Sequence, residues 1–294
     1  MAHIKFEESS SETICSTEFR NSSCHHASKY MQKENMDTYL TKKIITNLIT
    51  RSVTAAHEAA KYLPRTTSQE FLTITSKGPY RETVTIYDKV LEKKILENLT
   101  LLNKDDSYLG EETGHYNGNS KVKWIIDPID GTLNFARRIP AYSISIAAEV
   151  DGKVVAGTVY DPSHQDTFTA GLGLGARCNG YKIKSSSTFN LSDAVVSTGF
   201  SKNPEIRRKQ AQIISKLLTE VQDIRSCGSA ALDLCWLAAG KLDAYYEHDL
   251  CYWDLAAGSL IASEAGADII IQGDFVIGAA PAISKKLNIL LNHS

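Results

Sequence analysis

The run from Trp124 to Phe135, Trp-Ile-Ile-Asp-Pro-Ile-Asp-Gly-Thr-Leu-Asn-Phe, constrains this chain more than any other stretch. Trp124, Ile125 and Ile126 are apolar and β-prone, which predicts the end of a buried strand. Pro128 has no N–H to give a ladder, so the strand is expected to stop there. Asp127 and Asp130 then fall where the chain leaves the sheet, and Gly131 and Thr132 follow. Glycine admits a close backbone approach, and threonine supplies a hydroxyl. One turn thus offers two hard oxygen donors suited to Mg2+ and a run of N–H groups suited to a phosphate. The same residues are also ordinary turn chemistry, which needs no ligand, so the case for a site rests on acids elsewhere.

Two places supply them. Upstream, Leu109-Gly110-Glu111-Glu112-Thr113 sets adjacent acids after a glycine. Downstream, Tyr252-Trp253-Asp254 leads into the small residues Ala256, Ala257 and Gly258. Each is weak alone, because acid pairs usually face water and Asp is a normal helix-start residue. In this order and setting the three segments resemble the inositol monophosphatase family, Mg2+-dependent, lithium-sensitive sugar phosphatases. The match runs from about Lys77 to about Gly266.

That resemblance implies an α+β fold layered α/β/α/β/α and built of two αβ units. It implies that Glu111 and Asp127, with the backbone carbonyl of Ile129, hold one Mg2+. Asp127, Asp130 and Asp254 share a second, and Glu111 helps hold a third. Thr132, backed by Asp88, orients the attacking water. The N–H groups of Gly131 and Thr132 grip the phosphate at a helix start, and Asp130 and Asp254 are further substrate contacts. Glu247 hydrogen-bonds substrate hydroxyls, and Ala230 lines the pocket. Lys77 and Glu82 belong to a loop closing over the metals. The implied reaction is hydrolysis of a polyol phosphate monoester, above all inositol monophosphate, by metal-activated water. Fructose 1,6-bisphosphatase or broad sugar phosphatase activity is the near alternative, and a regulatory binding module with secondary catalysis the distant one. A homodimer is the family's common state. The chain departs from the family pattern at Glu82, Tyr87, Leu133, Ser229 and the Gly273-Asp274 turn, none of them an expected metal ligand.

Composition narrows the rest. With 294 residues, 43% of them hydrophobic, the chain can bury a sizeable core. A net charge of −2 with no basic stripe points away from nucleic acid as a partner. No apolar run approaches the roughly 18 residues of a membrane span. The first residues lack a secretory apolar segment, and the six cysteines lack a framework spacing. Reduced thiols in a cytoplasmic protein are therefore expected. Cys24-His25-His26 is a lone cluster without the partners a metal site needs.

Along the chain, residues 1–36 read as a Ser-rich flexible extension, 37–185 as an αβ unit with the metal site, and 186–294 as an αβ unit with substrate contacts. Leu40 to Ala60 carries apolar residues at helical spacing, and Pro64 ends that helix. Asp88 is expected to cap a second helix. Asp151-Gly152 between β-rich runs predicts a hairpin. A helix is expected over Pro204–Val221, another capped by Ser229, and a third over 253–265. Asp233 reads as structural. Glu264 sits unfavourably for the helix dipole, so a specific partner is expected.

Overall fold

The computed structural model describes residues 41–64, 74–77 and 82–292. The chain divides into two compact units, residues 1–43 and 44–294, and the second holds every described strand. The expected flexible extension over 1–36, with Cys15 and the Cys24-His25-His26 cluster, lies outside the described residues. Helix α1 covers residues 41–60. There follow β1 (Ile74–Lys77), β2 (Glu82–Thr85), α2 (Ile86–Leu102), β3 (Ser107–Gly110), β4 (Gly114–Tyr116), β5 (Val122–Asp130), α3 (Thr132–Arg137), β6 (Ser143–Val150), β7 (Lys153–Asp161), β8 (Asp166–Gly171), β9 (Gly175–Cys178) and β10 (Tyr181–Lys182). The chain continues through β11 (Val195–Thr198), α4 (Pro204–Leu217), β12 (Asp223–Arg225), α5 (Ala230–Ala238), β13 (Ala244–Glu247), α6 (Tyr252–Glu264), β14 (Asp268–Gln272), β15 (Phe275–Ala279) and α7 (Pro281–Asn292).

Strands β3 to β10 form an eight-stranded sheet in the order β10-β9-β8-β7-β6-β5-β3-β4, and β11 to β15 a five-stranded one in the order β12-β11-β13-β15-β14. Three buried clusters define the layers. Ile45, Leu48 and Ala55 of α1 join Leu91 and Ile95 of α2 against Trp124, Ile126 and Ile146 on one face of the large sheet. Leu232, Leu234, Leu255 and Ile261 of α5 and α6 lie between Ile125 and Phe168 on its other face and Tyr245 and Val276 of the small sheet. Ile213 and Leu217 of α4, with Ile283 and Leu287 of α7, cover the small sheet's far face. The fold is thus α/β/α/β/α, with helices packed on both faces of the two larger sheets. No described helix is long and apolar enough to cross a membrane.

Several elements depart from expectation for local reasons. Strand β5 does not stop at Pro128 but runs to Asp130, with its register against β6 shifted between Asp127 and Asp130. A bulge leaves a residue out of the ladder, so the missing proline N–H is no loss there. Helix α2 starts at Ile86, with Thr85 as N-cap and Asp88 at its third position rather than as the cap. Helix α4 ends at Leu217, short of Val221. Helix α7 was not expected from the sequence, although Pro281 at a helix start and Ile283, Leu287 and Leu291 at helical spacing are its signal. Strand β4 was not expected either, and forms where the polar chain folds back on β3. The Asp151-Gly152 hairpin is present, pairing β6 with β7. Glu264 has its partners: it accepts the N–H groups of Gly173 and Gly175 at 2.8 Å each.

Two contacts fix the sheets to their helices. Asp106, fully buried, accepts from Arg51 of α1 at 2.7 Å, Asn103 at 2.6 Å, Ser120 at 2.6 Å and the Trp124 indole at 3.0 Å. On the opposite face α6 lies close to β7: a methyl group at Gly157 would stand 3.0 Å from the Ala257 carbonyl oxygen.

Candidate active site

Strand β5 carries two acids inward at its end. Asp127 is 2% exposed, and its Oδ1 accepts the N–H of Ile129 at 3.0 Å, which holds the bulge. Asp130 is bound more fully. Its carboxylate accepts from the Ser229 hydroxyl at 2.5 Å, the Ala231 N–H at 2.8 Å, the Ala230 N–H at 3.3 Å and the Ser143 hydroxyl at 3.4 Å. The start of α5 thus docks on Asp130, where unsatisfied N–H groups meet a negative charge. Gly131 caps α3 with φ of 89°, and a side chain there would press on the Gly228 carbonyl oxygen at 3.0 Å.

Glu111 follows β3, its backbone N–H tied to the Ile126 carbonyl at 3.2 Å. That pairing brings the end of β3 alongside Asp127. Asp254 stands at the third position of α6, where it accepts the Cys251 N–H at 2.7 Å. Each acid thus sits at or beside the end of an element, and the ends converge.

The electrostatics reflect the same convergence. Asp127 is pushed well above the ordinary carboxylate range by burial, and further by the charges of Glu111, Asp130, Asp254 and Asp88. Asp130 is raised by burial despite its four donors. Asp254 is pushed up to about 7 by burial and then by Asp130, against the Cys251 N–H, the charge of Lys202 and a hydrogen bond with Asp127. Carboxylates held this close in a low dielectric favour either protons or a cation. Their oxygens are the hard donors Mg2+ takes. The donor set therefore fits a divalent ion, although no group of three or more His, Cys, Asp or Glu among the described residues stands already arranged to hold one.

Thr132, Asp88 and Glu247 lie toward the same acids. The Thr132 hydroxyl lies 3.1 Å from Asp88 Oδ1 and 2.9 Å from the Ile129 carbonyl oxygen. Asp88 is 1% exposed, and its other oxygen accepts both the N–H and the hydroxyl of Thr85 at 2.7 Å. It therefore closes the capping box of α2 and faces Thr132 at once. Glu247, at the end of β13, is pushed to about 8 by burial and feels the charges of Asp130 and Asp254. Lys77 and Glu82 pair as the last rung of the β1–β2 hairpin, and their side chains lie outside the described residues.

Some contributors give no sign of themselves in the sequence. Glu92 of α2 is fully buried and accepts the N–H groups of Glu112 at 2.9 Å and Thr113 at 2.7 Å, holding the turn that carries Glu111. Its position in a helix gives no hint of this. Asp233 is structural as expected: it is buried, accepts the Ser197 hydroxyl at 2.9 Å and is pushed up to about 7 by burial. Among the described residues, Cys178, Cys227, Cys235 and Cys251 form no disulfide.

A family model described as the inositol monophosphatase family matches residues 44–276. The chain is 40% identical over 230 residues to an inositol-1-monophosphatase of Mycobacterium bovis, spanning 73% of this chain and 79% of that protein. It is 36% identical over 233 residues to a protein of Salmonella typhimurium named Nus factor SuhB, spanning 79% and 86%. Among solved structures it is similar to the extragenic suppressor protein suhB of Bartonella henselae, with a TM-score of 0.79 and 34% identity over 83% of this chain and 98% of that one.

Proposed function

The chain belongs to the inositol monophosphatase family, and on that premise we propose that it hydrolyses a polyol phosphate monoester, foremost inositol monophosphate, to the polyol and phosphate. The observation that carries this reading is the meeting of Asp127 and Asp130 from β5 with Asp254 from α6, three acids raised by burial, Asp127 and Asp254 further by their neighbours' charge. Glu111, Asp127 and the Ile129 carbonyl would hold one Mg2+, and Asp127, Asp130 and Asp254 a second. Bound there, Mg2+ supplies charge neutralisation and a water of lowered pKa.

The chain's own groups do the rest. Thr132, its hydroxyl between Asp88 and the Ile129 carbonyl, orients the attacking water and passes its proton toward Asp88. Asp88 is raised by burial, which suits it to take a proton. The N–H groups of Gly131 and Thr132 receive the phosphate oxygens at the start of α3. Glu247 accepts polyol hydroxyls, and Ala230 forms a wall. No side chain is needed as nucleophile, so no phosphoenzyme forms. The family resemblance further supports inhibition by Li+ and a cytoplasmic homodimer.

Phosphate release from inositol 1-phosphate, with Mg2+ and with chelator, tests the reading; absence of release at millimolar Mg2+ overturns it. A panel including fructose 1,6-bisphosphate, compared by kcat/KM, separates the substrates. The relative named Nus factor SuhB supports a second, regulatory reading with protein partners. If Asp127→Asn abolishes hydrolysis yet leaves the cellular role intact, that role is the regulatory one.

A further inference from the structure

Glu247 is an awkward specificity residue on its own. Its long side chain can turn many ways, and a hydroxyl-reading carboxylate must be held in one. The surroundings hold it. Tyr245 and Glu247 stand two residues apart on β13 and so share a face of the strand. The Tyr245 ring is fully buried, and its hydroxyl donates to Glu247 Oε2 at 2.6 Å. On the other side is β11, which pairs in parallel with β13 through Thr198 and Tyr246. Gly199 follows directly, and a methyl group there would land on the Glu247 carboxyl. The carboxyl thus occupies space that any other residue at 199 would fill. Gly199 is itself pinned, its carbonyl accepting from the Gln210 amide at 3.1 Å.

We infer that Tyr245 and Gly199 are positioning residues for substrate choice, Tyr245 by fixing one oxygen of Glu247 and Gly199 by leaving its carboxyl room, so that the free oxygen meets a hydroxyl of the polyol. This rests on the reading that Glu247 faces the substrate. A tyrosine that merely needed a buried partner for its hydroxyl would satisfy the same contact. The two accounts differ in what they do to substrates with and without hydroxyls.

The experiment compares kcat/KM for inositol 1-phosphate with that for phenyl phosphate, which has no hydroxyl for Glu247 to read. Tyr245→Phe and Gly199→Ala should each lower the ratio of the two about tenfold, the loss of one well-placed hydrogen bond. In a Glu247→Gln background Tyr245→Phe should change the ratio by less than about twofold, because coupled residues do not add. Equal losses on both esters, an unchanged ratio, or a full further loss in the Glu247→Gln background would overturn the inference and leave the phosphatase reading standing. No release from either ester by the unaltered protein would instead overturn the phosphatase reading itself.

Discussion

The Thr132 hydroxyl and the Asp88 carboxylate stand 3.1 Å apart although 44 residues of chain separate them. The pair joins the start of α3 to the start of α2, and both oxygens of Asp88 are engaged, one with Thr132 and one with Thr85. Removing the Thr132 hydroxyl should therefore harm chemistry more than folding. Thr132→Val is expected to lower kcat about 100-fold, with little change in melting temperature. Thr132→Ser should recover most of the loss. Initial rates alongside thermal melts check this.

Glu92 holds the turn behind Glu111 with two backbone bonds. Groups that orient a metal ligand from behind typically matter about 10- to 100-fold in metal affinity. Glu92→Gln keeps the shape but has one acceptor oxygen fewer. The Mg2+ concentration for half-maximal activity should rise about tenfold, a shift read directly from a metal titration.

If the acid cluster holds the proposed cation, stability should depend on pH and metal together. Asp254 goes from an ordinary 3.8 to about 7 in the folded chain. The folded state then binds more protons than the unfolded one across that window. Its contribution is fully present below pH ~4 and is lost as pH rises to ~7. With chelator, melting temperature should fall across this range; with Mg2+, which needs the deprotonated acids, the loss should be reversed, most strongly near pH ~8. Asp127→Asn should blunt the Mg2+ effect. Scanning fluorimetry at several pH values would show a profile unchanged by Mg2+ if these acids do not share a cation.

Asp106 is a buried anion satisfied by Arg51, Asn103, Ser120 and Trp124, with the Arg51 guanidinium also 4.9 Å from the centre of the Trp124 ring. Breaking one side of such a pair leaves an uncompensated buried charge. Asp106→Ala should destabilise the protein by about 3–5 kcal/mol, measured by denaturant unfolding. Arg51→Met, which leaves the other three donors, should cost less.

Much of this site could be read before any coordinates because its chemistry sits at element ends. Asp127 and Asp130 lie in the bulged end of β5, Glu111 follows β3 and Asp254 opens α6, and turn residues such as Gly131 mark those places in the sequence. The hairpin at Asp151-Gly152 was legible for the same local reason. What could not be read was long-range. Pro128 predicts a strand end by itself, and only pairing with β6 reveals a bulge that carries the strand past it. Glu92 and Asp106 look like surface acids until Glu112, Thr113, Arg51 and Trp124 are brought to them. Tyr245 and Gly199 acquire meaning only when β11 and β13 lie side by side.

The close seating of α6 on β7 at Gly157 reaches further than packing. Asp254 rides on α6, while Asp127 and Asp130 ride on the sheet, so that contact contributes to the span across which the three carboxylates would share the proposed ion. Position 157 has no chemistry, yet on the proposed reading it bears on the size of the cation the cluster would accept. Widening it by a single methyl should shift the preference from Mg2+ toward the larger Mn2+, with every acid left in place.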